Sequence, residues 1–467
     1  MRTSVAAGSL MLLFLSPLVQ EKYLQAQPAD RGVVLKTSAA SPGYTLIAPF
    51  GGQQTFLIDM DGQVVHSWTT ERRPSQAAYL LNDGSLIRTA KIPNDTFSVP
   101  GGPAGGIQKF DWDGNLVWDY VVSDNQRLTH HDIEPLPNGN VLVVAWELKT
   151  RQQALEAGRD PAKLDGGALW PEVVLEIKPV GPTGGEVVWE WHVWDHLVQA
   201  FDQDKPNYGS PADHPERIDL NYVERPIPDW IHMNSIDYHP ALDQILVCGR
   251  TFDEIWVIDH GTTTQEAAGR TGGKRGRGGD LLYRWGNPFA YFAGTPFDQV
   301  LFGQHDPHWI PPGLPGAGNI LIFNNGSDRD NRAFSTVDEL TPPLLANGRY
   351  QLPPNEPYGP EKLVWRYEAP GKLYSQRVSG AQRLPNGNTL ICSGEDGHVF
   401  EVTRDGDVVW DFWNYLGATN TTAPAAAPAP GSAPGPLHGV AMFRAVRYPP
   451  DHPAFAGRRL TARAAQP

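Results

Sequence analysis

One short pattern recurs along this chain and constrains its fold more than any other feature. It consists of a polar head, an apolar run, a tight turn and a second apolar run, and its clearest copy spans His130–Leu142. Asn-Gly between two apolar runs is a strong signal for a β-hairpin. The pattern returns at Ser379–Leu390 and, in weaker form, at Asn234–Pro240 and His305–Pro311. A recurring hairpin with a changing polar head predicts a repeat protein whose chemistry lies at equivalent ends of its repeats.

A second repeat consists of a turn, two or more apolar residues and an aromatic residue. Its copies are Asp61–Trp68, Asp113–Trp118, Gly185–Trp189, Gly279–Trp285, Lys362–Trp365 and Asp405–Trp410. They recur at irregular intervals of roughly 45 to 95 residues, the scale of propeller blades with loop insertions. Another strand precedes most copies, so each unit contains four strands, the number in one propeller blade.

Both ends of the chain carry fragments of one further blade. Residues His438–Val446 resemble a blade-opening strand, and Tyr44–Ala48 begins a run of strands near the N-terminus. A shared blade would close the ring and remove its open sheet edges. We therefore predict an all-β fold, a six-bladed β-propeller over residues 40–450, closed by N- and C-terminal strands that share one blade. An Ala/Pro-rich loop at residues 418–436 is inserted in it.

Charge and hydropathy exclude some partners. The net charge of −14 argues against nucleic acid as the main partner, because phosphate binding needs a dominant basic surface. Residues 1–27 have the pattern of a signal peptide, with an apolar run too short to span a bilayer. We expect an exported protein, periplasmic or extracellular, with no membrane span and an oligomeric state that the sequence leaves open.

Cys248 and Cys392 lie in apolar runs and are expected to be buried free thiols.

The polar heads of the blades form the candidate site, because equivalent positions of a ring-shaped repeat converge on its central channel. The heads carry His130, His131, His232, Asn234, His305, His308, Arg377, Ser379 and His438. Several imidazoles that meet at one point repel each other when protonated, but around a sulfate or phosphate they donate charge-assisted hydrogen bonds. A neutral imidazole could instead attack sulfur or phosphorus. A structural role is the alternative for each histidine taken singly.

Three further points about these residues follow from their spacing. Either His130 or His131 can be the inward residue, because neighbouring side chains of a strand point to opposite faces. Arg329 and Arg332 follow an apolar strand and are candidates for anion binding or for ordinary surface positions. A zinc site would need clustered ligand spacing, which the histidines lack, so we expect neither a metal nor a cofactor.

Taken in order, these motifs resemble those of a known family, the bacterial arylsulfate sulfotransferases, often labelled arylsulfotransferase (ASST). The resemblance covers about Tyr44 to Tyr448 and rests on His131–Leu142, Gln304–His305, Phe323–Gly326 with a following arginine, and Gly380–Asn388. It implies a six-bladed exported propeller. It also implies transfer of a sulfuryl group from one phenolic sulfate ester to another phenol, without a nucleotide sulfate donor.

The resemblance also implies roles for particular residues. In the family, one histidine becomes transiently sulfated while two other histidines and an arginine hold the sulfate. By motif, His131 and His305 match the sulfate-holding pair, and Arg332, or else Arg329, matches the arginine.

The chain departs from the family at the expected nucleophile. The family places it on the blade whose head here spans Ser375–Gly380, and that head contains no histidine. Either His438 or Ser379 takes the role, or the activity is different or lost, and His438 is our choice for the attacking or proton-shuttling residue. Two hypotheses follow from the sequence, an exported sulfotransferase for aryl sulfates and phenols, or a non-catalytic propeller that binds sulfated or aromatic ligands. A scaffold for protein partners is a third, suggested only by the long loops.

Overall fold

Six antiparallel sheets of four or five strands form a six-bladed β-propeller in the computed structural model. The structure describes residues 31–98, 101–164, 167–327, 329, 334–354, 356–417, 437 and 439–462. The predicted fold class, including closure by strands from both ends of the chain, is confirmed. The predicted signal peptide (1–27) and the Ala/Pro-rich loop (418–436) lie outside the described residues.

The blades are numbered here along the chain, and their strands are given from the innermost outwards. Blade 1 contains Met442–Tyr448, Tyr44–Pro49, Gln54–Ile58 and Val64–Thr69; blade 2 contains Pro74–Leu80, Leu86–Lys91, Gly105–Phe110 and Leu116–Val121; blade 3 contains Arg127–Pro135, Val141–Glu147, Glu172–Val180 and Gly184–His192. Blade 4 contains Met233–His239, Gln244–Gly249, Glu254–Asp259 and Tyr283–Trp285; blade 5 contains His305–Trp309, Ile320–Asn324, Thr336–Leu340 and Trp365–Glu368; blade 6 contains Gly380–Arg383, Thr389–Ser393, His398–Val402, Val408–Trp413 and Gly32–Lys36.

Helices and two short strand pairs occur in the connections. The α-helices are Arg151–Glu156 and Thr264–Ala267, and the 3₁₀ helices are Pro161–Lys163, Val193–His196, Arg250–Phe252, Pro288–Tyr291, Pro296–Asp298 and Pro453–Phe455. The pairs are Lys149–Thr150 with Ala168–Leu169 and Leu197–Val198 with Ile218–Asp219. None of the helices in the described residues has the length and apolar character needed to cross a bilayer.

The hydrophobic core lies between the blades. In blade 3, Val141 and Val143 pack against blade 2, whereas Leu142 and Val144 pack against blade 4. Because both faces of the strand are buried, its sequence is a continuous apolar run instead of an alternating one. A cluster of this kind occupies each interface between consecutive blades, including the one between blades 6 and 1. A single blade could not bury these faces, so stacking of the blades supplies the apolar burial that stabilises the fold.

The tryptophans of the second repeat join each blade to the next. Each lies on the fourth strand of its blade and donates its indole N–H to the following blade, at the connection between its third and fourth strands or, for Gly184, at the first residue of the fourth strand. In order, Trp68, Trp118, Trp189, Trp285, Trp365 and Trp410 donate to Asp111 O, Gly184 O, Thr262 Oγ1, Pro360 O, Arg404 O and Met60 O, over 2.8–3.0 Å. The last bond runs from blade 6 to blade 1, so these contacts form a closed ring.

The two chain ends close the propeller at two places. Met442–Tyr448 pairs with Tyr44–Pro49 as the innermost strand of blade 1. Gly32–Lys36 pairs with Val408–Trp413 as the outermost strand of blade 6. Arg447 of the C-terminal strand also forms a buried ion pair with Glu401 of blade 6. Closure therefore depends on pairing between segments from opposite ends of the chain.

Candidate functional site

Three of the predicted head histidines lie together at one end of the central channel. The ring centroids of His131 and His232 are 4.7 Å apart with the rings edge to face. The ring of Phe443, on the closing strand, lies 6.2 Å from His131 and 6.3 Å from His305. His131 and His232 have positive φ angles of 47° and 54°. This left-handed conformation is uncommon outside glycine, and the strand pairing of both blades is irregular near these residues.

Behind His131, a chain of hydrogen bonds runs through His130 to Glu172. His130 Nδ1 lies 2.9 Å from His131 Nδ1, and His130 Nε2 lies 2.7 Å from Glu172 Oε2. The ring of His130 also stacks on Trp146 at 4.0 Å. All three members of the chain are almost completely buried. Of the two adjacent histidines, His131 is therefore the one beside the other head residues.

The protonation of this chain follows from its burial. Burial lowers the pKa of His130 to about 3, and burial with His232 and His130 nearby holds the pKa of His131 well below its usual value. Burial and the nearby Asp229 raise the pKa of Glu172 well above that of an ordinary glutamate. The Glu172–His130 contact is thus a neutral hydrogen bond in which the Glu172 hydroxyl donates. His130 Nδ1–H then donates to His131 Nδ1, which leaves His131 Nε2–H as the outer donor.

His232 forms a separate pair with a carboxylate. Its Nδ1 lies 2.5 Å from Asp229 Oδ2, and Asp229 Oδ1 accepts a hydrogen bond of 2.9 Å from Trp146 Nε1. Burial opposes ionisation of Asp229, but the attraction of His232 and the hydrogen bonds outweigh it, and the pKa of Asp229 is lowered. Asp229 is therefore a carboxylate that accepts from His232 Nδ1–H, and in the neutral form of this ring the lone pair lies on Nε2.

His305 is held by protein groups on both ring nitrogens. Its Nδ1 donates to Asn325 Oδ1 at 2.8 Å and to Gly303 O at 3.1 Å, and its Nε2 accepts the backbone N–H of Val378 at 3.1 Å. Burial and the charge of Arg250 hold its pKa well below the usual value. His305 is thus a neutral imidazole that joins blade 5 to the head of blade 6.

Arg250 is the basic residue of this site that the sequence patterns did not predict. It follows the second strand of blade 4, and its charge acts on both His131 and His305. Its backbone N–H donates to His232 O at 3.4 Å. Among the residues that the structure describes, none forms a hydrogen bond or ion pair with its guanidinium. Asn325, which bonds to His305, follows the second strand of blade 5 in the same way. A comparison of the residues that follow the second strands of the blades would therefore have identified Arg250.

A cleft of about 620 Å³ opens beside the imidazoles, with Arg250 in its wall. The insertion after blade 3 and the loops after blade 4 supply five aromatic rings to it, those of Phe201, Tyr222, Phe289, Phe292 and Phe302. Phe201 and Phe292 are 53% and 51% exposed, which is unusual for phenylalanine. The imidazoles themselves do not line this cleft, so Arg250 is the residue that connects the two. The cleft therefore combines aromatic rings with the cation of Arg250, and the carboxylates of Asp219, Glu224 and Asp253 also line it.

Two further head residues, Ser379 and Asn234, are engaged within the protein. Ser379 is fully buried with a φ of 86°. Its Oγ donates to Ser375 Oγ at 2.8 Å and accepts the N–H of Gly394 at 2.9 Å. Asn234 Nδ2 donates to Gln304 O at 2.9 Å. Both side chains connect strands instead of presenting a free group to the channel.

The arginines near blades 5 and 6 are also engaged. Arg377 donates to Glu395 over 2.8 Å. The guanidinium carbon of Arg329 lies 4.4 Å from the ring centre of Phe334 and 5.2 Å from that of Phe302. The structure therefore places Arg329 between two aromatic rings. Arg332 and His438 lie outside the described residues.

His308 is not brought to the other head histidines. It lines a second cavity of about 350 Å³, together with Arg444 and several carboxylates. Arg444 donates to Asp132 at 2.6 Å and pairs with Asp306 at 3.1 Å, and its guanidinium carbon lies 4.7 Å from the ring of Phe443. Phe443 thus lies between the imidazole cluster and this second cavity.

The described residues contain no group of three or more side chains placed to hold a metal ion.

Several solved structures are similar to this chain. A protein of unknown function from Bacteroides caccae has a TM-score of 0.45 at 14% identity, with 87% of this chain and 99% of that chain covered. The periplasmic gluconolactonase PpgL of Pseudomonas aeruginosa has a TM-score of 0.39 at 13% identity, covering 80% and 96%. A catalytically inactive variant of virginiamycin B lyase from Staphylococcus aureus has a TM-score of 0.39 at 10% identity, covering 83% and 90%. Among curated proteins, no sequence matches this chain.

One family model matches most of the chain. It is described as "Arylsulfotransferase (ASST)" and matches residues 47–409. The matched range contains His131, His232, Arg250 and His305 of the cluster described above, and it ends before the closing strand of blade 1.

Proposed function

Because this chain belongs to the arylsulfotransferase family, we propose that it transfers a sulfuryl group from an aryl sulfate ester to a phenolic acceptor at the imidazole cluster. The observation that supports this most is the guanidinium of Arg250, which forms no hydrogen bond or ion pair among the described residues and stands between three imidazoles and an aromatic cleft. Burial lowers the pKa of Arg250 although the charges of Asp253 and Asp229 oppose this, so an anion bonded directly to the guanidinium would stabilise the cation. A sulfate ester would supply that anion, and its aryl group would lie against the exposed phenyl rings.

In this proposal each cluster residue has a defined part in binding. Arg250 holds two sulfate oxygens through a bidentate contact, and His131 Nε2–H donates to a third oxygen or to the bridging one. Negative charge that develops during transfer is stabilised in a site from which most water is excluded. His305 acts indirectly, since its hydrogen bonds hold the heads of blades 5 and 6 in position. His438 and Arg332 stay predictions from the sequence.

Replacement of Arg250 tests the proposal. Arg250→Gln is expected to lower kcat/KM for a nitrophenyl sulfate donor with a phenol acceptor by about a hundredfold, because one preorganised donor to the sulfuryl oxygens is lost. Formation of the sulfated acceptor is measured by mass spectrometry. Arg127→Gln is a matched control, because Arg127 forms an ordinary surface pair with Glu190 at 3.2 Å and should leave the rate unchanged. A wild-type protein that forms no sulfated phenol contradicts the proposal.

A non-catalytic propeller that binds sulfated or aromatic ligands is the second candidate. It is favoured by one observation, the absence of histidine at the head of blade 6, where Ser379 has its hydroxyl bonded on both sides. Under this alternative, an aryl sulfate binds to the wild-type protein and is recovered unchanged, and Arg250→Gln weakens the binding. Calorimetry together with product analysis separates the two candidates.

The proposed site of action is outside the cytoplasm, as an exported periplasmic or extracellular protein. The support is the charged and apolar pattern of residues 1–27. N-terminal sequencing of the protein recovered from the periplasm or the medium tests this point, and an intact N-terminus in the cytoplasmic fraction alone would contradict it.

A further inference from the structure

The four imidazoles of the cluster differ in what their ring nitrogens can do. Both nitrogens of His130 and both nitrogens of His305 are bonded within the protein. His131 ends the chain from Glu172, and its Nε2 is the outer donor of that chain. His232 is left with its Nδ1–H on a carboxylate and a lone pair on Nε2, for which the described residues provide no partner. Only the last arrangement has the form of an activated nitrogen nucleophile.

Resting on the proposed function, we infer that His232 is the nucleophile and carries the sulfuryl group on its Nε2 between donor and acceptor. The role that the family places on blade 6 would thus be performed here from blade 4. Asp229 would hold the imidazole in the tautomer that exposes the lone pair, and it would stabilise the positive ring that forms on sulfation.

The position of His232 supports this assignment. Its side chain is 20% exposed, whereas His130, His131 and His305 are almost completely buried, so a substrate can reach it more readily. Its positive φ of 54° is a conformation that costs free energy in a residue with a side chain, and such residues often occur at functional sites. The backbone bond from Arg250 to His232 O keeps the nucleophile next to the residue proposed to bind the sulfate.

The transfer step balances with the groups present. His232 Nε2 attacks sulfur, the N–S bond forms, and the bond between sulfur and the aryl oxygen breaks. The leaving aryl oxygen takes the proton of His131 Nε2, while His130 Nδ1–H passes its proton to His131 and Glu172 passes its own to His130. The products are a phenol, an N-sulfoimidazolium on His232 and a Glu172 carboxylate. A second phenol reverses each proton shift and takes the sulfuryl group from nitrogen.

The experiment is to treat the whole chain with nitrophenyl sulfate without acceptor, quench it rapidly and locate any sulfated residue by peptide mass spectrometry. We expect a mass increase of one SO₃ group on the peptide that contains His232, and its loss when phenol is added. Double-reciprocal plots with both substrates should be parallel, as in ping-pong kinetics.

Two glycine variants provide the critical comparison. His232 and His131 both have left-handed backbones, which glycine adopts without strain, so each variant should fold. His232→Gly is expected to lose the adduct and at least about a thousandfold in transfer rate. Free imidazole, which can occupy the vacated space, should restore part of the donor cleavage. His131→Gly should still form the adduct on His232, but more slowly.

Asp229→Asn tests the positioning role. An Asn side-chain NH₂ would donate to Nδ1 and leave Nε2 protonated, so adduct formation should slow by about a hundredfold or more while the KM for the donor changes little. A merely structural role would change both.

Each remaining outcome is decisive. An adduct on another residue, or an undiminished adduct in His232→Gly, overturns the assignment of His232 and leaves the sulfuryl transfer intact. Intersecting kinetics with no adduct in a wild-type protein that forms sulfated phenol also overturns it. Absence of sulfated phenol in the wild type overturns the proposed function, and the assignment with it.

Discussion

His130 and His131 are adjacent in sequence, yet the structure gives them different surroundings. His131 stands edge to face with His232 at the channel, whereas His130 lies between Trp146 and Glu172. Neighbouring side chains of a strand point to opposite faces, and the left-handed φ of His131 adds a local irregularity at that point. The result is a hydrogen-bonded chain that can move a proton between a buried carboxyl group and an outer imidazole nitrogen.

Replacement of Glu172 by glutamine tests that chain at a single position. The amide can keep the hydrogen bonds to Met233 N–H and to His130, but it cannot release a proton. Glu172→Gln should therefore slow transfer from donors with poor leaving phenols by about a hundredfold, the usual contribution of a general acid. Donors with acidic nitrophenol leaving groups should be affected much less, because they need no proton. Rates measured across a series of aryl sulfates give this dependence, and an equal loss for all donors would contradict it.

Between whole elements, polar contacts supplement the apolar interfaces of the blades. Besides the ring of tryptophans, His260 after the third strand of blade 4 joins Glu176 of blade 3 at 3.0 Å and Asp243 of its own blade at 2.7 Å. Burial disfavours the imidazolium, but the hydrogen bonds and charges of both carboxylates outweigh it and raise the pKa of His260 to about 9. The two blades are therefore held together in part by a cation.

This pairing makes part of the stability depend on pH. The folded pKa of His260 is above its unfolded value of 6.5, so the contribution is full below pH 6.5 and is lost as the pH rises through about 9. His260→Gln should lower the free energy of unfolding by on the order of 2 kcal/mol at pH 6, and wild type and variant should converge above pH 9. Urea unfolding at both pH values measures this. An equal difference at the two values would show that the imidazolium contributes nothing.

Over the whole molecule, the closing strand Met442–Tyr448 has both a structural and a chemical part. It completes blade 1, it places Phe443 between His131 and His305, and it carries Arg447 to Glu401 of blade 6. The imidazole cluster is therefore assembled on a ring that exists only when the two ends of the chain meet.

Removal of this strand should abolish cooperative folding. A chain that ends at Ala441 exposes the inner face of blade 1 and opens the ring between blades 6 and 1, so we expect loss of the near-ultraviolet circular dichroism signal and of the urea transition. A peptide spanning residues 442–462, added in trans, should restore part of both. A matched chain that begins at Thr37 lacks the outermost strand of blade 6, in which no residue is fully buried, and should keep a cooperative transition. An unchanged transition in the chain that ends at Ala441 would contradict this view of closure.

The blades and the way they join follow from the sequence alone. The hairpin and tryptophan repeats predict strands, order and closure, because turn residues and apolar runs act over a few neighbouring positions. Trp410 marks the limit of this, since the repeat predicts its strand whereas its hydrogen bond to Met60 of the next blade is seen only in the structure. His131 and His305 could also be selected as head residues by their position in the repeat.

Which polar groups meet, and in what protonation state, depends on the tertiary structure. Arg250 stands outside the head positions, and nothing local to it indicates that it lies beside His232; Asp229 is only three residues before His232, but the sequence does not show that the two side chains meet. The pairing of His232 with Asp229 and the chain from Glu172 to His131 depend on contacts that the folded heads of blades 3 and 4 create. Their protonation depends on burial, which the packing of the blades supplies. The repeats therefore predict the channel, while the choice among its imidazoles follows from the closed ring.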